Sequence, residues 1–319
     1  MCDVIEERDE LEMMEREMPV PFRMEPAMDS FVGIMKTFCP ARFISGDVVY
    51  HYTKSGVFEK LMEENGDILC SQYTDLNDDG EWDLGVDYIS EYISNHNRTE
   101  SRDSFEGLVQ DIHNRNPPFI ASFSAYEDKA SMWGMYTDRK EGGYAVGIGR
   151  EDLEQLCKVN NQNNKVYELH FLPCVYLGVD DVDAIVERII GNYADEIEYT
   201  ARHTIFEVGE LLARRLLFLS YLIKHGSFDY ENELRLVLCP VASGFKRKIK
   251  EFKTEEGGVK RGVFSGVFGS DNPIWKSFRR VEVSPHGNVT ALYRKAMGYR
   301  KQRNLGFDLD LSGSTYNGR

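Results

Sequence analysis

The run Glu233-Leu234-Arg235-Leu236-Val237-Leu238-Cys239 constrains the fold more than any other part of the sequence. Successive side chains of a strand turn to opposite faces, so Leu234, Leu236 and Leu238 share one face while Glu233, Arg235 and Val237 share the other. The strand therefore becomes buried as it proceeds, yet it carries a carboxylate and a guanidinium inward. Buried charges persist only where they are paired or used. Glu231 falls on the face of Glu233 by the same alternation, and Glu233 is expected to lie deeper.

Around this run the pattern mixes helical and strand signals without a regular βαβ repeat. It predicts a single main α+β domain with a mixed or antiparallel sheet and surrounding helices. Residues 48–52 predict a strand; Ser55 predicts the N-cap of a helix bearing Val57, Phe58, Leu61 and Met62, and Gly66 a left-handed cap at its end. Further strands are expected at 68–71, 119–124, 144–148, 166–177, 233–239 and 281–283, with a hairpin over 247–264. Helices are expected at 82–94, 101–114, 130–136, 150–158 and 289–297, and as a pair within 181–223. Residues 1–42 are acidic and interrupted by Pro19, Pro21, Pro26 and Pro40, which marks them as a weakly docked N-terminal arm. The main domain is placed at 43–300 and a C-terminal tail at 301–319.

Charge narrows the partners. Asp and Glu number 53 against 38 Lys and Arg, a formal charge of −15 that repels a phosphate backbone, so an extended nucleic-acid surface is disfavoured. Local basic runs at Lys246, Arg247, Lys248 and Lys250, and at Arg294, Lys295, Arg300, Lys301 and Arg303, leave room for an anion or nucleotide but read more simply as solvated faces. The six cysteines have no C-x-x-C pairing and read as reduced, buried thiols. The acidic N-terminus lacks the form of a secretory signal, and no apolar run reaches the ~18 residues of a membrane span. A cytoplasmic location without membrane contact is the expectation.

Familiar cofactor motifs are missing. Residues 75–80 match the first half of a calcium loop, but its twelfth position is Val86 where a bidentate carboxylate is required. Gly147-Ile-Gly149 lacks the third glycine of a dinucleotide fingerprint, and neither G-x-x-x-x-G-K-[ST] nor H-E-x-x-H occurs. No metal site is expected from ligand spacing, although Asp78, Asp79, Glu81 and Asp83 keep a magnesium-dependent nuclease as a minor alternative that the net charge opposes.

Three segments embed polar groups in strand-like or apolar runs: Tyr50-His51-Tyr52-Thr53; Ser122-Phe123-Ser124 followed by Trp133 and Tyr136; and Tyr230-Glu231-Asn232-Glu233-Leu234-Arg235. With Asn77, Asp78 and Glu81 of the intervening loop, their order resembles the bacterial domain-of-unknown-function family 2971 over residues 48–300. Leu234 stands where that family often has Trp, and the arm has no counterpart in it.

The same order is similar, more faintly, to ADP-ribosyltransferases, which implies a sheet core of that type with NAD as the cofactor consumed. The similarity implies a catalytic group of Glu233, Glu231 and Arg235, and NAD-binding residues His51, Tyr52, Thr53, Ser122, Ser124, Trp133 and Tyr136. Chemically, a carboxylate stabilises the oxocarbenium-like state formed when nicotinamide leaves, an aromatic ring holds the flat leaving group, and a strand histidine hydrogen-bonds a ribose hydroxyl. The implied function is an NAD-dependent ADP-ribosyltransferase or NAD glycohydrolase, a toxin or defence enzyme modifying a macromolecular acceptor. Each group also has a plainer role. His51 can be a strand histidine held by a carbonyl, Trp133 and Tyr136 core residues, and Glu233 with Arg235 an ion pair. A non-catalytic binding or assembly module is the corresponding alternative.

Overall fold

The computed structural model describes residues 27–40, 46–73, 76, 80–95, 105–107, 117–163, 166–199, 212, 215–240, 248–253, 259–266, 268 and 272–314. The chain forms α1 (Ala27–Phe38), β1 (Val48–Lys54), α2 (Ser55–Leu61), β2 (Leu69–Gln72), α3 (Glu81–Asn95), β3 (Phe119–Ser124) and α4 (Ala130–Tyr136). It continues with β4 (Gly143–Gly149), α5 (Arg150–Asn163), β5 (Tyr167–Pro173), β6 (Val175–Leu177), α6 (Val182–Tyr199), β7 (Ile223–His225) and β8 (Glu233–Pro240). The hairpin strands β9 (Lys250–Lys253) and β10 (Val259–Phe264), then β11 (Phe278–Val283), α7 (Val289–Gln302) and β12 (Asp308–Leu311), complete it. The fold class is α+β.

Among the described residues, ten strands join in one mainly antiparallel sheet in the order β12-β11-β4-β1-β3-β2-β10-β9, with β8 paired to β3 and β5. Only β11 and β12 run parallel within it, and β6 and β7 form a separate parallel pair. Strand β3 organises the centre. One of its edges is covered from end to end by β8, from Phe119↔Leu238 to Ser124↔Glu233. The other edge is divided: β1 holds it at Tyr50↔Ser124 and β2 at Ser71↔Ile120 and Gln72↔Phe119. Ser122 lies in the fork between them.

Side-chain alternation sorts the two faces. Leu234, Leu236 and Leu238 of β8 join Phe119, Ala121 and Phe123 of β3 and Val49 of β1 in one core, under Phe58 of α2, Leu153 of α5 and Leu292 of α7. Val237, Cys239 and Ile120 face the other way, against α1, α3, α6 and the helical residues 215–220. Each large apolar side chain so buried contributes about 1.5–3 kcal/mol. A third cluster, Tyr50, Tyr52, Met132 and Trp133, packs α4 onto β1.

Several expectations change. Ser55 is the first helical residue and is buried; the N-cap is Lys54, whose side chain makes no capping bond. Gly66 is outside the left-handed region, where Gly142 (φ 74°) lies. Its missing side chain matters for another reason, since a Cβ there would stand 2.0 Å from the Leu61 carbonyl oxygen. Gly66→Ala is expected to cost about 1–3 kcal/mol in urea unfolding, because overpacking against backbone is relieved only by moving it; an unchanged midpoint would show that the α2–β2 turn yields freely.

The single long strand expected at 166–177 is two, since Pro173 cannot donate and the chain leaves the main sheet after it. Helix α5 runs to Asn163 rather than 158. Of the 181–223 region, α6 and the helical residues 215–220 are seen, followed by the unforeseen β7, while 200–211 lies outside the described residues. Most of 101–114, most of the 75–80 loop, the hairpin turn at 256–258 and the arm to residue 26 also lie outside them. Residues 27–38, which sequence assigns to the arm, form α1, whose Phe31, Ile34 and Met35 are buried in the core. Residues 308–311, assigned to the tail, extend the sheet as β12. Cys39, Cys70, Cys157, Cys174 and Cys239 are buried free thiols.

Candidate functional site

The fork beside Ser122 opens into a pocket enclosing about 150 Å³. It is lined from β1 by Tyr50, His51 and Tyr52, from β2 by Leu69 and Ser71, from β3 by residues 120–124, and from α4 by Met132 and Tyr136. Leu76, Glu231 and Glu233 complete the wall. Three segments far apart in sequence meet here because β3 pairs with both of the others: Ser124 is opposite Tyr50 on one side and Glu233 on the other.

Four buried charges form the base of the site. Lys224, on β7, donates through Nζ to Glu231 Oε2 at 2.6 Å and to Glu233 Oε2 at 2.5 Å. Arg235 Nε donates to Glu233 Oε1 at 2.9 Å, and its Nη1 donates to the Tyr221 carbonyl at 2.5 Å. The Glu233 backbone N–H is taken by the Tyr176 hydroxyl at 2.8 Å. Burial would raise the Glu233 carboxyl, but the Arg235 guanidinium, the Lys224 ammonium and their hydrogen bonds outweigh it and hold the group well below the usual carboxylate range. The two carboxylates line the pocket, whereas neither Lys224 nor Arg235 does. The quartet is neutral by formal charge, and its two acidic members are the ones that line the cavity.

Two details of the sequence reading fail at this point. Glu231 does not belong to the strand: it ends a 3-10 turn (Gly226–Glu231), and Asn232 follows in the left-handed region at φ 41°, which Asn tolerates better than most residues. Nor is Glu233 deeper, since Glu231 is 2% and Glu233 3% exposed. The two differ in partners rather than in depth.

From β1, His51 Nδ1 lies 3.0 Å from the Ser122 carbonyl oxygen, and its ring stands 5.5 Å from that of Phe123. Burial lowers the His51 pKa, and the hydrogen bond to Ser122 opposes this only in part. Ser124 is committed to the backbone, donating to the Glu231 carbonyl at 2.7 Å and accepting from Tyr126 N–H at 3.1 Å. Tyr52 likewise accepts from Lys129 N–H and donates to the Tyr126 carbonyl. Tyr50 donates to Glu127 at 2.6 Å, a carboxylate also held by Arg280.

Of the residues expected at the site, His51, Tyr52, Ser122, Ser124, Tyr136, Glu231 and Glu233 line the pocket. Thr53, Trp133 and Arg235 do not. Trp133 is fully buried, its indole N–H donating to Asp128 at 2.7 Å and its ring set edge-on to Tyr52 at 4.8 Å, so no face is left for a ligand. Thr53 is buried beside β4, and Arg235 stands behind Glu233. Sequence reasoning missed Lys224, although a lysine closing the apolar run Tyr221-Leu222-Ile223 carries the same signal that singled out the other segments. Among the described residues no group of three or more His, Cys, Asp or Glu is arranged to hold a metal ion. No helix among them is long and apolar enough to cross a membrane.

No curated protein and no solved structure matches the chain significantly. A family model does match, over a narrower range than residues 48–300: it includes α4 from Met132 onward with Trp133 and Tyr136, Lys224 and the Glu231–Arg235 segment, and leaves out His51 and Ser122. Residues 132–236 of this chain thus match the family described as Protein of unknown function (DUF2971).

Proposed function

We propose that the chain is an enzyme that splits NAD at its nicotinamide–ribose bond, as an ADP-ribosyltransferase or NAD glycohydrolase. The observation that carries this reading is the orientation of the buried quartet: Glu231 and Glu233 face the pocket while Lys224 and Arg235 stand behind them. NAD carries a pyridinium ring, and breaking its glycosidic bond moves positive charge onto the ribose, so an ionised carboxylate stabilises both the bound ring and the oxocarbenium-like state. The enclosed space of about 150 Å³ falls below the ~300–1,000 Å³ of pockets that engulf a drug-sized ligand. It suits a single ring with its ribose, the rest of the nucleotide lying outside. Tyr136 keeps the role of aromatic wall that sequence gave to Trp133 and Tyr136 together, and a macromolecular acceptor, in a toxin or defence role, would approach from the open side.

The test is direct. Purified protein incubated with NAD, with and without cell extract, is expected to release nicotinamide, measured by chromatography. A second reading rests on the double clamping of Glu233 by Lys224 and Arg235, which also suits a binding module that holds a cationic group without chemistry. Thermal stabilisation by nicotinamide riboside with no nicotinamide release in either condition would favour that module and sink the enzyme.

A further inference from the structure

His51 stands where β1 parts from β3. Tyr50 still pairs with Ser124, but the register ends there, and Tyr52 does not pair with Ser122. The Ser122 carbonyl is met by His51 Nδ1. A carbonyl oxygen only accepts, so in the neutral ring Nδ1 carries the proton and Nε2 presents a lone pair. Nε2 has no hydrogen-bond partner among the described residues, and His51 lines the pocket. Burial keeps the ring neutral near pH 7, and therefore basic.

Cleavage of a pyridinium glycoside needs no acid, because nicotinamide departs uncharged; the proton that must move is the one on the incoming nucleophile. Resting on the reading of the site as NAD-cleaving, we infer that His51 is the general base of the hydrolytic reaction, taking a proton from the attacking water through Nε2 while Glu231 and Glu233 face the ribose. In this step the water oxygen bonds to ribose C1′ as the C1′–N bond breaks. The electron pair of that bond returns to the ring nitrogen, and the water proton passes to Nε2 and then to solvent. The products are ADP-ribose, nicotinamide and one proton.

The groups around His51 are the Ser122 carbonyl and the Phe123 ring from β3 and Tyr50 and Tyr52 from its own strand; Tyr136 from α4 and Glu231 and Glu233 line the same pocket, with Glu233 on the face of the sheet that Tyr50 shares. Burial raises Tyr50 and Tyr52 far above neutrality, and the flanking cations hold Glu233 far below it. An acid limb in activity below pH 6.5, the ordinary histidine value, is therefore expected from His51.

The variant His51→Gln keeps a donor for the Ser122 carbonyl but has no basic nitrogen. It is expected to fold, to lose about 10²–10⁴-fold in kcat/KM for NAD near neutral pH, and to lack the acid limb of the wild type. Nitrogen NMR of the wild-type ring, assigned by the signal missing in His51→Gln or, if that variant fails to fold, in His51→Asn, is expected to show Nε2 unprotonated. Protonated Nε2, or a variant that keeps both the acid limb and most of its activity, overturns the base role and leaves NAD cleavage standing. A wild-type chain that releases no nicotinamide overturns NAD cleavage itself, and the base role with it.

Discussion

Glu233→Gln is expected to lower NAD turnover by about a hundredfold or more, the usual effect of removing a group that stabilises transition-state charge. It should also cost about 3 kcal/mol, near the lower end for breaking a buried ion pair, because both cations keep a second partner. Lys224 retains Glu231, and Arg235 retains the Tyr221 carbonyl. Against the ~5–15 kcal/mol that holds an ordinary domain together, this leaves the variant folded at moderate temperature, so turnover and urea unfolding can be read separately. Glu231→Gln leaves the Arg235–Glu233 pair intact and is expected to lose less of both. Full turnover in Glu233→Gln, or a larger loss in Glu231→Gln, would overturn the assignment. The pH dependence follows from the same contacts. Because the folded carboxyl titrates below its ordinary value of 4.5, its stabilising contribution is complete above about pH 4.5 and falls away as pH drops toward the folded pKa. The stability gap between wild type and Glu233→Gln should therefore narrow on acidification.

Trp133→Ala is expected to cost about 3–5 kcal/mol in thermal or urea unfolding, as for other large buried aromatics. The indole fills the space between α4 and Tyr52 and also ties down Asp128, which accepts from Ser312 and from the Gly313 N–H at 2.7 Å after β12. Trp133→Phe keeps an aromatic ring but loses half of the indole and the bond to Asp128, so it is expected to cost about 1.5–3 kcal/mol for the hydrogen bond to a charged group with a further cost for the cavity left behind. Its kcat/KM for NAD should stay within about twofold of wild type, since the ring does not reach the pocket. A tenfold fall in kcat/KM with unchanged stability would restore Trp133 to the ligand site and contradict the packing seen here.

What the sequence determined by itself is local: the period-two alternation of β8, the β-branched and aromatic run of β1, the helix stripe of α2, and the cost of embedding His51, Ser122, Glu231 and Glu233 in apolar or strand-like surroundings. Those features were sufficient to sort the leucines of β8 to one core and Glu233, Arg235 and Val237 to the other face. What only the tertiary structure decided is which groups meet. Spacing along the chain does not say that β1 and β2 divide one edge of β3 and open a pocket between them. Nor does it say that Lys224 arrives on a separate small sheet to bridge two carboxylates, or that Trp133 turns into the protein toward Asp128 while Tyr136, on the same short helix, lines the cavity. Alternation and propensity act over a few residues, whereas pairing of charges and closure of a pocket depend on strands brought together across the whole chain, where burial and electrostatics, rather than sequence order, set the partners.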